Sequence, residues 1–269
     1  MRKLALIGLC LVLALSTAAV AGQKITITGS TTVLPVAQKA AEVYMGANPG
    51  VMISVAGTGS GDGIKAIIDG TVDIGNASRG MKGKEVKLAQ SKGVTPVQHT
   101  VGLDCIVPVV HPANKVADLS MDQLMAIYTG KIKKWSEVGG IDKVIVVISR
   151  DSSSGTFEVW NKRVLKKQRV RPDAQLQASN GAVASAVAGN KYAIGYVGIG
   201  YLNPKIKALT VGHVKASAKT AMDKSYPVAR ALYMFTRGEP KGVVKAFLDF
   251  IKSDKGQAIV KAEGFVPLK

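Results

Sequence analysis

Cysteine, histidine, aromatic side chains and acidic charge are all scarce in this 269-residue chain, and each shortage excludes a class of function. The two cysteines are Cys10 and Cys105. Cys10 follows Leu9 inside an apolar N-terminal run, without the small residue that must precede a lipid-attachment cysteine. Once that run is removed Cys105 stands alone, so no internal disulfide can form. Its setting, Leu103-Asp104-Cys105-Ile106-Val107, reads as a strand that buries an inert thiol. The three histidines (His99, His111 and His213) lie away from every serine-rich motif, and no His, Cys and carboxylate spacing suggests a metal. There is also no G-x-S-x-G elbow, which argues against a serine hydrolase. Aromatics make up 5% of the chain and the lysines are dispersed, so the interleaving of basic and aromatic residues that stacks nucleic-acid bases is missing.

Long hydrophobic runs are likewise few. Residues 4–15 are apolar, preceded by Arg2 and Lys3 and followed by Ala19-Val20-Ala21, a small-residue cleavage pattern. Residues 1–21 therefore read as a signal peptide cleaved near Ala21, and the run is too short for an anchor. No later stretch approaches the roughly 18 apolar residues of a membrane span. The expectation is an exported, periplasmic protein with no membrane span in the mature chain.

What the chain does have is positive charge, 36 Lys and Arg against 18 Asp and Glu, a formal +18. Such a balance favours acidic partners, and export argues against nucleic acid, which leaves a membrane surface or a small anion drawn in by the field. About 248 residues beyond the signal segment suffice for one large or two ordinary domains.

Hydroxyl-rich turns are also abundant, and they recur in one pattern. The strand-like run 144–148 leads into Ser149-Arg150-Asp151-Ser152-Ser153-Ser154-Gly155-Thr156-Phe157, after which Phe157, Trp160, Val164 and Leu165 follow at helical spacing. Ser, Thr and Asp are ordinary helix caps, but a cap does not need Arg150, whose planar fork of donors matches an oxyanion. Residues 24–28 similarly run into Gly29-Ser30-Thr31-Thr32, with Pro35 suited to a first helical turn. Residues 51–55 run into Gly57-Thr58-Gly59-Ser60-Gly61-Asp62-Gly63, which is neither a Walker loop nor a dinucleotide fingerprint. A strand at 72–75 ends in Asn76-Ala77-Ser78-Arg79, and Ser179-Asn180-Gly181 opens another helix. Alternation of strands and helices implies a largely parallel sheet whose ligands gather at the strand carboxyl ends, where these turns lie.

Further expectations concern single elements. Residues 94–99 and 103–110 read as separate strands, and Pro108 places the second at an edge or bend. Ser120 caps a short helix ending near Tyr128, Trp135 packs under its loop, and residues 104–111 and 227–236 are the two crossings between domains.

Taken together these motifs resemble the phosphate-binding proteins of bacterial ABC transporters, within the periplasmic solute-binding proteins. The resemblance covers essentially the whole mature chain and also rests on Tyr128-Thr129-Gly130-Lys131-Ile132 with Trp135, on Ala193-Ile194-Gly195-Tyr196-Val197-Gly198, and on Gly264-Phe265-Val266-Pro267-Leu268. It implies an α/β fold of two mixed-sheet lobes joined by a strand hinge, with residues 22–104 plus 226–269 as lobe I and residues 105–225 as lobe II. A monomer would close on one phosphate without metal or other cofactor, perform no catalysis, and deliver the anion to the membrane permease of an ABC importer. The implied phosphate-binding residues are Ser30, Thr31, Thr32, Ser60, Ser78, Arg150, Ser154, Gly155, Thr156 and Asn180.

One departure from the family pattern bears on selectivity. Well-known members carry an aspartate at or next to the position of Arg79, which accepts a proton from hydrogen phosphate and rejects sulfate. Asp62 and Asp151 are the expected substitutes, with Asp73 behind them. The alternatives are a binding protein for sulfate, molybdate or tungstate, a surface or signalling protein that keeps the fold, or an exported serine hydrolase.

Overall fold

The computed structural model describes residues 22–268, so the signal-peptide expectation lies outside the described residues. The chain builds two α/β lobes on a continuous hydrogen-bonded path of strands. In chain order these are β1 (Gln23–Gly29), β2 (Val51–Gly57), β3 (Ile74–Ala77), β4 (Val97–Val110), β5 (Asp118–Leu119), β6 (Val146–Arg150), β7 (Gln175–Gln177), β8 (Ala193–Gly198), β9 (Lys207–Ala208), β10 (Thr210–Val211) and β11 (Ala229–Thr236). The helices are α1 (Leu34–Ala47), α2 (Ser60–Asp69), α3 (Gly83–Ser91), α4 (Met121–Thr129), α5 (Gly155–Arg163), α6 (Asn180–Ala188), α7 (Ala218–Met222), α8 (Gly242–Lys252) and α9 (Asp254–Ala262).

Local chemistry explains where these elements start. In β1 the alternation buries Ile25 and Ile27 while Thr26 and Thr28 stay nearer the surface. Pro35 sits in the first turn of α1, where a missing N–H costs no hydrogen bond. Ser120, Ser154 and Ser179 each accept from the backbone N–H three residues on, starting α4, α5 and α6.

The strand order is β2-β1-β3-β11-β4-β8-β6-β7. Pairs β1·β2, β1·β3, β6·β7 and β6·β8 are parallel, whereas β11 lies antiparallel to β3 and β4, and β4 antiparallel to β8. The sheet is thus mixed rather than largely parallel, because the two strands that join the lobes both run against their neighbours. Residues 94–99 and 103–110 do not form two strands: β4 is one 14-residue strand that pairs with β11 up to Cys105 and with β8 from Ile106 onward. Pro108 consequently lies inside a central strand, opposite Tyr196, and not at an edge. The change of partner accommodates it: pairing to β11 has already ended, and β9 joins only at Val109.

Two apolar cores flank this switch. One packs Ile106, Leu124, Tyr128, Trp135, Trp160 and Tyr196 in the second lobe, with the Trp160 and Tyr196 rings stacked at 4.4 Å. The other packs Ile25, Val36, Ile53, Leu232, Phe247 and Phe265 in the first. Burying such large side chains contributes about 1.5–3 kcal/mol each, so each lobe holds its own turn ends in place.

Candidate functional site

The hydroxyl-rich turns meet where the lobes face each other. Thr32 Oγ1, at the start of α1, lies 3.0 Å from Thr156 Oγ1, at the start of α5. Asn180, at the start of α6, donates from Nδ2 to Thr31 Oγ1 at 3.1 Å and to Thr32 Oγ1 at 3.0 Å. Ser60 Oγ, at the start of α2, accepts from the Ser78 N–H at 3.0 Å and lies 3.3 Å from Ser78 Oγ. Thr32, Ser60, Ser78, Thr156 and Asn180 are at most 1% exposed. Groups so thoroughly removed from water must find partners among themselves or on a ligand.

The centre of the cluster is a residue that the sequence reading did not single out. Arg230, on β11, donates from Nη2 to Thr32 Oγ1 at 3.1 Å and to Thr156 Oγ1 at 3.0 Å, and from Nη1 to Ser78 Oγ at 3.0 Å. Its fork is held from behind by Asp104 on β4, with Nε and Nη2 at 2.8 and 2.7 Å from Oδ2. Asp104 Oδ1 also accepts from the Ile199 N–H at 2.8 Å. Burial pushes the Asp104 carboxyl up from its ordinary value while Arg230 pulls it back, and burial lowers the Arg230 guanidinium while Asp104 opposes. The signal in the sequence was a lone cation in the apolar run Pro227-Val228-Ala229-Arg230-Ala231-Leu232, and a lone acid in residues 101–110.

Arg150 is 2% exposed at the end of β6 and belongs to the same region, but most of its donors are taken up inside its own lobe. Nε donates to Gln177 O at 2.9 Å and Nη2 to Ala178 O at 3.0 Å, while buried Nη1 has no protein partner. The backbone N–H of Arg150 donates to the Tyr196 hydroxyl at 3.2 Å, which locks the strand end. Ser30 Oγ accepts from the N–H groups of Thr32 and Val33 within its turn, and Ser154 Oγ caps α5 by accepting from that of Phe157. Gly155 lies against Ser60 and Ser78 of the opposite lobe, and a Cβ there would collide with both hydroxyls. The free N–H groups of the first turn of α5 supply donors and positive dipole at this contact.

Neither carboxylate expected to substitute for the missing aspartate enters the cluster's hydrogen bonds. Asp151 Oδ1 accepts from the N–H and hydroxyl of Ser153 at 2.8 and 2.6 Å, and Oδ2 is 3.7 Å from Arg150 Nη2. Asp62 is exposed in the first turn of α2. Arg79 itself turns away from the cluster. It pairs with Glu85 of its own lobe at 2.7 Å and with Glu158 of α5 at 2.8 Å, and Lys82 joins Glu158 at 2.7 Å. A second cross-lobe seam runs through the main chain: the Gly61 N–H donates to Ser153 O at 2.9 Å, and Ser153 Oγ lies 3.2 Å from Thr58 O. Among the described residues no group of His, Cys, Asp and Glu could hold a metal ion.

Two lobes that bring hydroxyls, helix starts and arginine forks together in a buried cleft define a binding protein for a small oxyanion. Comparison with known proteins agrees: the sequence profile of the PBP superfamily domain matches residues 16–255. A phosphate-binding protein PstS of Bacillus subtilis is 36% identical over 250 residues, covering 92% of this chain and 82% of its own. The corresponding PstS of Staphylococcus aureus is 31% identical over 252 residues. A Clostridium perfringens structure, described as a phosphate ABC transporter substrate-binding protein with phosphate bound, superposes with a TM-score of 0.86 at 36% identity, over 92% of this chain and 100% of the other. An ABC-type phosphate transport receptor of Vibrio cholerae gives 0.74 at 29% identity, over 90% and 99%. The chain belongs to the phosphate-binding protein family of the PBP superfamily.

Proposed function

We propose that this protein captures inorganic phosphate between its lobes and presents it to the membrane permease of an ABC importer. The observation that carries the reading is the buried meeting of Thr32, Thr156 and Asn180 around the Arg230 fork, with contributions from both lobes. Thr31, Ser60 and Ser78 extend the hydroxyl shell, Ser30, Ser154 and Gly155 shape the turns, and Gly155 and Thr156 donate from the start of α5. Arg150 adds charge through its free Nη1, and Arg230 supplies a second fork. A dianion held by two guanidinium groups and a ring of hydroxyls has its charge compensated without metal.

The hinge falls where β4 changes partner, with residues 22–104 plus 226–269 as lobe I and 105–225 as lobe II. The protein works as an exported monomer, cleaved near Ala21 and located in the periplasm, and it turns over no substrate. Selectivity over sulfate rests on Asp62 and Asp151 as proton acceptors. Calorimetric titration of metal-free protein with phosphate and with sulfate tests the reading. Tight phosphate binding in excess sulfate is expected. Absence of phosphate binding would refute the function, and discrimination surviving alanine at both Asp62 and Asp151 would refute those two acceptors.

A further inference from the structure

Beside the cluster, on the far side of Arg230, lies a crevice of about 530 Å³ between the lobes. Arg79 and Lys82 line it from the first lobe, Glu158, Lys162 and Arg163 from α5, and Arg230 from β11. Five cations thus face one carboxylate. Glu158 is already occupied by Arg79 and Lys82, Arg79 is balanced further by Glu85, and Arg230 is balanced by Asp104. Lys162 and Arg163 are exposed and form no ion pair among the described residues, while Arg163 Nη1 donates to Pro227 O at 3.1 Å. The crevice therefore carries uncompensated positive charge, supplied by groups that only donate, and it shares one guanidinium with the enclosed cluster.

We infer that this crevice is a second, weaker site for a divalent oxyanion, an antechamber from which the anion passes to the cluster behind Arg230. Ammonium and guanidinium groups recognise charge and donate hydrogen bonds, and Glu158 is held by its own cations, so no free acceptor tests whether the anion is protonated. Sulfate and hydrogen phosphate should bind here alike, in contrast to the selective inner site. Two unit charges acting on a dianion from about 8–10 Å, through water and screening salt, raise its local concentration about threefold. The antechamber role rests on the phosphate reading above; the binding of anions in the crevice does not.

Calorimetry with inorganic phosphate and with sulfate, and stopped-flow measurement of phosphate association at an ionic strength of about 0.15 M, test the inference on the mature protein. The variant is Lys162→Ala with Arg163→Ala, and the control for net charge is Lys255→Ala with Lys261→Ala on α9, outside the crevice. The expected result is a weak binding event for both anions in the wild type and the control. The crevice variant should lose it, keep the tight phosphate event, and associate with phosphate about threefold more slowly. Absence of the weak event in the wild type, or its persistence in the crevice variant, would overturn the inference. A weak event without any tight phosphate binding would support the crevice and sink the phosphate reading instead.

Discussion

Replacing Arg230 separates what this residue does for folding from what it does for the anion. Arg230→Met removes the guanidinium that touches Thr32, Thr156, Ser78 and Asp104, and it leaves the Asp104 carboxylate, which is 0% exposed, without its counterion. Breaking a buried pair from one side costs about 3–5 kcal/mol. For a chain of this length that lowers the Tm by roughly 6–20 °C. The pH dependence has a definite sign. Burial already raises the folded-state pKa of Asp104, and the groups that hold it down are led by Arg230. In the variant the folded carboxyl keeps a proton that the unfolded chain releases above about pH 4. The loss of stability is therefore smallest below that pH and grows as pH rises through the folded-state value. Adding Asp104→Leu removes the stranded charge and should restore most of the stability, since an apolar pair can replace a buried ion pair. The double variant should still bind phosphate about 100-fold more weakly, because lost charge-assisted hydrogen bonds are worth about 1.5–3 kcal/mol each. Thermal unfolding across pH and calorimetry read the two effects separately. Wild-type affinity in the double variant would remove Arg230 from the site, and equal instability in single and double variants would refute the account of Asp104.

Three further outcomes follow from the same geometry. Gly155→Ala should cost most of the phosphate affinity, because in the arrangement seen here its Cβ would collide with Ser60 and Ser78 of the opposite lobe; tight binding by this variant would show that the lobes do not need that contact. Glu158→Gln removes the carboxylate that Arg79 and Lys82 share across the cleft, a partly exposed bridge worth about 1 kcal/mol. Phosphate affinity at an ionic strength of about 0.15 M, where the carboxylate's own repulsion of the anion is largely screened, should fall by up to about fivefold, and an unchanged affinity would contradict it. Burial, with help from the Asp104 charge, pushes the Cys105 thiol up to about 12, so Ellman's reagent should react with it only after unfolding; rapid reaction of the native protein would contradict the placement of β4.

The elements that the sequence made legible are those governed by near neighbours. A serine cap reaches three residues along the chain, and Ser120, Ser154 and Ser179 begin helices where their residue types say they should. Apolar spacing of two or of three to four residues likewise located the strands and helices around each turn. Pro108 was misjudged because a proline's placement depends on which strands lie beside it, and β4 changes partners in mid-strand.

Of the site itself, the sequence by itself determined the hydroxyl-rich turns, the cation at residue 150 and the absence of an aspartate at residue 79. Tertiary structure alone decided how these groups are used. Arg230 reaches Thr156 across 74 positions of sequence and Thr32 across 198, distances over which no local periodicity carries information. The Arg150 fork is largely engaged by Gln177 and Ala178, while Arg79 faces Glu85 and Glu158 rather than the hydroxyls. Side-chain direction depends on which carboxylates and carbonyls the folded chain brings within about 3 Å, and a hydrogen bond has no reach beyond that.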